Sequence, residues 1–268
     1  MSNLRPLATH RSSQSRHLPS CPPQPSLVGP NAPDRTENLG TVRRMAEEDT
    51  AQTRVVLVRH GESRTSVERS IGGPRTCSGL SDLGRQQCER LATRLAETGE
   101  LAGAALYASR YPRAIETAEI LAPALGGVEV TVDDRFGEHD PGPDCDGLTF
   151  AVFVERHGMP DWEADPYAVT FPGGETVAEL HHRVGVGLSD LTQRHAGGTI
   201  VVCCHGGVVN AVLRLALRAP IVGDFEVFTT NASITELVLV RAGRWRLQRY
   251  NDAAHLAGLP HATARPDD

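Results

Sequence analysis

Two segments of this chain share one design: an unbroken apolar run that ends in a histidine followed by glycine. The first is Val55-Val56-Leu57-Val58, leading into Arg59-His60-Gly61-Glu62; the second is Ile200-Val201-Val202-Cys203-Cys204, leading into His205-Gly206-Gly207. Short apolar, β-branched runs read as buried parallel strands, and ligands of open α/β sheets bind outside the carboxyl ends of such strands. Two histidines at two strand ends of one sheet can converge on one ligand. Gly206 and Gly207 let backbone N–H groups approach it, and a helix starting near Gly207 adds its positive end. That combination suits an anion. Metal binding is the other reading of a histidine pair, and the permanent positive charge of Arg59 opposes a cation there.

The elements that must position these residues alternate as βαβ units do. A strand at 54–59 precedes a helix at 82–97, which Ser81 can cap and in which Leu83, Cys88, Leu91 and Leu95 can face inward. A strand at 104–108 leads to a helix at 112–124, with Pro112 suited to its first turn. A strand at 128–132 enters an irregular stretch, 133–174, rich in Asp, Gly and Pro, of a length that marks a functional or mobile loop. Then follow a helix at 175–195, a strand at 199–204, a helix at 207–218 and a hairpin of strands 232–241 and 244–250 turning at Ala242-Gly243.

Residues 1–50 are rich in Ser, Pro, Arg and Asn without apolar periodicity, and are expected to form a disordered tail; Met45 is read as a candidate natural start. Residues 51–252 form the expected single domain, and 253–268 a flexible C-terminal tail.

Composition removes several chemistries. All 27 basic residues are arginine, so there is no lysine for a Schiff base, a phosphate-loop Gly-Lys-Ser/Thr or a pyridoxal anchor. Bound phosphate has to be met by arginine and histidine. A net charge of -6 argues against a nucleic-acid partner, and no apolar run reaches the length of a membrane span. The six cysteines lack CxxC spacing and suit a reduced, cytoplasmic chain.

Six segments, in order, carry a resemblance to a known family. They are Arg59-His-Gly-Glu-Ser63, Leu80-Ser-Asp-Leu-Gly-Arg-Gln-Gln87, Ser109-Arg-Tyr-Pro-Arg113-Ala-Ile-Glu-Thr117, Arg135-Phe-Gly-Glu138, Pro172-Gly-Gly-Glu175 and His205-Gly-Gly207. Together they resemble the histidine phosphatase superfamily, the phosphoglycerate mutase-like group, over about residues 54–252. The resemblance implies an α/β fold, a three-layer α/β/α sandwich with a mostly parallel central sheet and helices on both faces. It implies a metal-independent enzyme without a cofactor, acting on a small phosphorylated metabolite. His60 would attack phosphorus, Arg59 and Arg113 would hold the phosphoryl oxygens, and His205 and the Gly206 backbone would complete that pocket. Glu138 would be general acid and then base, with Asp140, Asp144 and Asp146 close by.

Departures from the family pattern bear on the reaction. Ser66 stands where the family often has asparagine, and it reaches less far toward a phosphoryl oxygen. Arg69-Ser-Ile-Gly-Gly73 and Gly206-Gly207 replace segments typical of the mutases, which favours hydrolysis over phosphomutase chemistry; glycine after His205 favours the branch with a loop-borne glutamate. A binding module without catalysis is the third reading. His139 reads as a loop residue and His181-His182 as surface or partly buried. Trp162, Tyr167 and Phe171 either cap the pocket or pack the loop. The terminal hairpin offers an edge for a homodimer.

Overall fold

The computed structural model describes residues 52–161, 165–223 and 225–260. The expected N-terminal tail with Met45, residue Trp162 and the final residues 261–268 lie outside the described residues. Six strands form one sheet: β1 (Thr53–Arg59), β2 (Ala105–Ala108), β3 (Val130–Val132), β4 (Thr199–Cys204), β5 (Ile234–Arg241) and β6 (Arg244–Asp252). Their order is β3-β2-β4-β1-β5-β6. The first four strands run parallel to one another, while β5 pairs antiparallel to β1 and β6 antiparallel to β5. The sheet is therefore mostly parallel, as expected.

The apolar run of β1 explains its central place. Val55 and Leu57 pack on one face and Val56 and Val58 on the other, all buried, because side chains alternate along a strand. One face is covered by α6 (Val177–Arg194) and α7 (Gly206–Leu217), through Val184, Leu188, Leu191, Val208 and Val212. The other is covered by α2 (Asp82–Thr98) and α3 (Pro112–Leu121), through Leu91, Leu95, Ala118 and Leu121. This is the three-layer sandwich.

Local chemistry sets the helix ends. Ser81 Oγ caps α2 by accepting from Gly84 N–H at 3.0 Å. Thr176 and Glu179 form a reciprocal capping box at the start of α6, so that helix begins at Val177 rather than 175. Pro112 opens α3, and the chain tightens to a 3-10 turn over Ala122–Leu125, where Pro123 has no N–H for a continued α-helix. The helix expected to reach 124 thus ends at Leu121.

The stretch 133–174 is not uniformly irregular. It contains α4 (Gly142–Cys145) and α5 (Phe150–His157), and a further short helix, α1 (Arg64–Val67), follows the first histidine loop. Thr149 caps α5, and Phe153 meets Cys145 and Phe171 in a small separate core. Phe171 therefore packs this cap, whereas Tyr167 is exposed. Past Asp252 the chain makes one 3-10 turn, Ala254–Leu256. Five cysteines, Cys77, Cys88, Cys145, Cys203 and Cys204, are free thiols. Among the described residues no helix is long and apolar enough to cross a membrane.

Candidate active site

Sheet register brings the two histidines together. In the parallel pair of β1 and β4, Arg59 lies opposite Cys204, so the next residue of each strand is a histidine. His60 N–H also donates to the Cys204 carbonyl at 2.9 Å, and the rings lie edge to face with centroids 5.0 Å apart. β2 adds a third residue to the same rim: Ala108 lies opposite Cys203, and Ser109 Oγ is 2.6 Å from His205 Nε2.

The proton on His60 is fixed by its neighbours. Nδ1 lies 2.6 Å from the Gly61 carbonyl, which can only accept, so Nδ1 carries the hydrogen. Arg113 Nε–H donates to Nε2 at 3.1 Å, which requires the lone pair there. Burial, then the charges of Arg113 and Arg59, hold the His60 pKa well below its ordinary value, against the raising effect of the Gly61 carbonyl. Burial and the same arginines, with His60 and Arg183, hold His205 down as well. Both rings are therefore neutral near pH 7.

The loop carrying His60 is locked from beneath. Gly61 N–H donates to Thr117 Oγ1 at 3.2 Å, and Glu62 N–H to Gln87 Oε1 at 2.9 Å. A Cβ at Gly61 would stand 2.4 Å from the Gly84 carbonyl oxygen, so only glycine allows this loop to meet the start of α2. Arg113, 5% exposed, is held by Gly72, whose carbonyl accepts from Nη1 at 2.9 Å, and lies over the Tyr111 ring, its Cζ 4.6 Å from the centroid. Arg59 Nη1 donates to the Thr229 carbonyl.

Glu138 reaches the same rim from the loop after β3. Its carboxylate accepts from His139 N–H at 3.0 Å and from Gly207 N–H, at the start of α7, at 3.2 Å. A Cβ at Gly207 would come 2.2 Å from Glu138 Oε1, which gives that glycine its reason. The structure thus brings together His60, Arg59, Arg113, His205, Gly206 and Glu138. Ser66 is exposed, and its hydroxyl bonds Ser63 Oγ at 2.8 Å. Asp140 pairs with Arg110 at 3.2 Å, and Asp146 caps the 73–76 turn. His181 is buried and His182 exposed on α6.

Besides Ser109, four residues of the site carry no role in the sequence reading. Tyr111 packs its ring against His205, with centroids 4.8 Å apart, and donates its hydroxyl to the Glu138 carbonyl at 3.2 Å. Arg183 bonds the carbonyls of Arg135, Gly137 and Glu138 while pairing with Glu175, so it holds the glutamate loop. No spacing rule points to this pair, because Glu175 precedes the helix and lies eight residues from Arg183. Asn231 Nδ2 donates to the His60 carbonyl at 3.0 Å, and Thr229 lies against Arg59. Those two come from a loop before β5 with no local pattern.

A neutral histidine with its lone pair beside a guanidinium, at the carboxyl rim of a parallel sheet, makes this an α/β protein with a site chemically suited to an anion such as phosphate. The model of the histidine phosphatase superfamily (branch 1) matches residues 55–253, and the chain belongs to that family. It is 32% identical to phosphoglycerate mutase-like protein 4 of Arabidopsis thaliana, over 80% of this chain and 91% of that one. The metal-independent phosphoserine phosphatase of the same plant is 28% identical over 77% of this chain and 84% of its own. The solved mycobacterial glucosyl-3-phosphoglycerate phosphatase, in complex with VO3, is 27% identical, with a TM-score of 0.61 over 74% of this chain and 99% of its own.

Proposed function

We propose that this chain is a phosphomonoesterase that hydrolyses a small phosphorylated metabolite through a phosphohistidine on His60. One observation carries the reading: the Gly61 carbonyl holds the proton on Nδ1, leaving a lone pair on Nε2 in a buried, uncharged ring. Neutral imidazole is a competent nucleophile. Nε2 attacks phosphorus in line, the N–P bond forms as the ester P–O bond breaks, and protonated Glu138 gives its proton to the leaving oxygen. Water then attacks phosphorus and Glu138 takes up its proton. The N–P bond breaks with its electron pair returning to Nε2, and inorganic phosphate leaves.

Arg59 and Arg113 would meet the charge that spreads over the equatorial oxygens, and the Gly206 backbone N–H at the start of α7 would add to them. Ser109 Oγ already accepts from Tyr111 N–H at 3.3 Å and can donate its one proton to His205 Nε2. The His205 proton then lies on Nδ1, available to a phosphoryl oxygen. Ser66, exposed on α1 with its hydroxyl 2.8 Å from Ser63 Oγ, is given no role in this set. Two guanidinium groups do the work of a cation, so turnover should persist in a chelator.

Phosphate release from a panel of phosphomonoesters tests the reading. Phosphoserine and glucosyl-3-phosphoglycerate come first, because relatives carry their names. His60→Ala should abolish turnover, and quenching wild type during turnover should trap an acid-labile phosphoenzyme. Glu138→Gln should slow alkyl phosphates by about 10²–10⁴-fold and aryl phosphates far less, since a phenolate needs little help to leave. Isomer formation without phosphate release would replace this reading with a phosphomutase.

A further inference from the structure

The loop before β5 presents a hydroxyl that the reaction outlined above leaves unused. Thr229 is 2% exposed, and its Oγ1 has no hydrogen-bond partner among the described residues. His205 Nδ1, on the same rim, is another buried polar atom in that condition among the described residues. Buried polar groups are nearly always paired in folded proteins, and an unpaired one at a binding rim marks where a ligand completes it.

The position of that hydroxyl is fixed on three sides. The Thr229 carbonyl accepts from Arg59 Nη1, which ties the residue to the guanidinium. Ala232 N–H donates to the Arg59 carbonyl at 2.9 Å, and Asn231 Nδ2 to the His60 carbonyl at 3.0 Å, so the loop is bonded to the nucleophile strand. A Cβ placed on Gly206 would lie 3.6 Å from Thr229 Oγ1 and 4.0 Å from Arg59 Cζ. The hydroxyl, the guanidinium and the first residue of α7 therefore border one space, and glycine at 206 keeps a side chain out of it.

We propose that Thr229 Oγ1 donates a hydrogen bond to the phosphoryl oxygen held by Arg59, an assignment that rests on the phosphohistidine reading of His60. Thr229 thereby supplies a neutral donor beside the guanidinium. The donor is preorganised, because its loop is already bonded to β1 before any ligand arrives. No proton is transferred and no bond to Thr229 is made or broken; the hydroxyl binds the group in the ground state and through in-line transfer.

The test compares wild type, Thr229→Val, Thr229→Ser and His60→Ala. Binding of inorganic phosphate is measured by calorimetry, and kcat/KM with p-nitrophenyl phosphate. Thr229→Val keeps the shape of the side chain and should weaken phosphate binding about tenfold, lowering kcat/KM with it. Thr229→Ser keeps the hydroxyl and should recover most of that loss. Equal phosphate affinity in wild type and Thr229→Val overturns the assignment. So does a serine variant as weak as the valine one, which would mean that the methyl group only packs. Thr229→Ala replaces the valine variant if thermal melting shows that valine prevents folding. An active His60→Ala enzyme sinks the phosphohistidine reading itself, whereas an inactive one beside an unaffected Thr229→Val removes only the role given to Thr229.

Discussion

Arg113 Nε donates to His60 Nε2 at 3.1 Å, so a guanidinium on α3 touches the one ring atom on β1's loop that carries a lone pair. The contact keeps that nitrogen deprotonated and holds the ring still. In the proposed mechanism the guanidinium stands where phosphorus would approach Nε2, so an arriving phosphoryl group would have to draw it onto its own oxygens. Gly72 anchors Nη1 and Tyr111 supports the planar group from below.

Arg113→Lys separates charge from shape. Lysine would be the first in this chain, a point charge without the planar fork that meets two oxygens at once. Steady-state kinetics should show kcat/KM down about 10²–10³-fold with the melting temperature nearly unchanged. Activity within a few-fold of wild type would reduce Arg113 to a packing residue.

Gly207→Ala tests Glu138 without touching it. The new Cβ would stand 2.2 Å from Glu138 Oε1, so the carboxylate has to move while α7 remains a helix. Misplacing a catalytic group by about 1 Å costs about 10²-fold in rate. The expected outcome is a kcat lowered by that order with an intact circular-dichroism melt. A normal kcat would overturn the acid and base role proposed for Glu138.

How far the sequence foretold this site depends on how local each signal is. His60 and His205 were legible because both follow apolar runs buried on two faces, and the parallel register does the rest. Arg113 was legible only through the resemblance carried by Ser109–Thr117, since Pro112 marks where its helix starts and gives the arginine no role. The cap helix α5 was not, because its apolar residues Phe150, Phe153 and Val154 fill only one short helix within a stretch of Asp, Gly and Pro. Its partners, Cys145 and Phe171, come from outside the helix. Thr229 and Asn231 owe their places to side-chain-to-carbonyl bonds with Arg59 and His60, some 170 residues away in sequence. No propensity or period encodes such a pairing.

Asp146 is a clip between the two segments that flank the pocket. Its carboxylate accepts from Gly73 N–H and Arg75 N–H, both at 2.8 Å, and from Thr76 Oγ1. The neighbouring backbone of Ile71 pairs with Gly147 and Leu148, and Gly72 holds Arg113. Asp146→Asn would turn one amide donor toward another. Limited proteolysis should then cut the 140–172 segment faster and KM should rise several-fold, with kcat changed less. An unaltered cleavage pattern would leave the clip without consequence.

Stability should fall with acid in a window set by buried histidines. Burial first, and then positive neighbours, lowers the pKa of His60, His205 and His255, and lowers His181 to about 4, where Arg214 adds to burial. In the unfolded chain each returns to about 6.5. Between that value and the lowered folded one, the unfolded state binds protons that the folded state refuses. Stability contributed by the neutral rings is therefore complete above about pH 7 and is lost as pH falls below about 6.5. Each ring adds a slope of at most about 1.4 kcal/mol per pH unit. The carboxylates with lowered pKa, such as Asp252 at about 2 beside Arg94, lose their contribution only as pH falls below about 4, so the two windows separate. Urea unfolding between pH 7.5 and 5 should show the decline, and His181→Gln, outside the candidate active site, should make it shallower. Parallel curves for wild type and His181→Gln would show that His181 takes up its proton equally in both states.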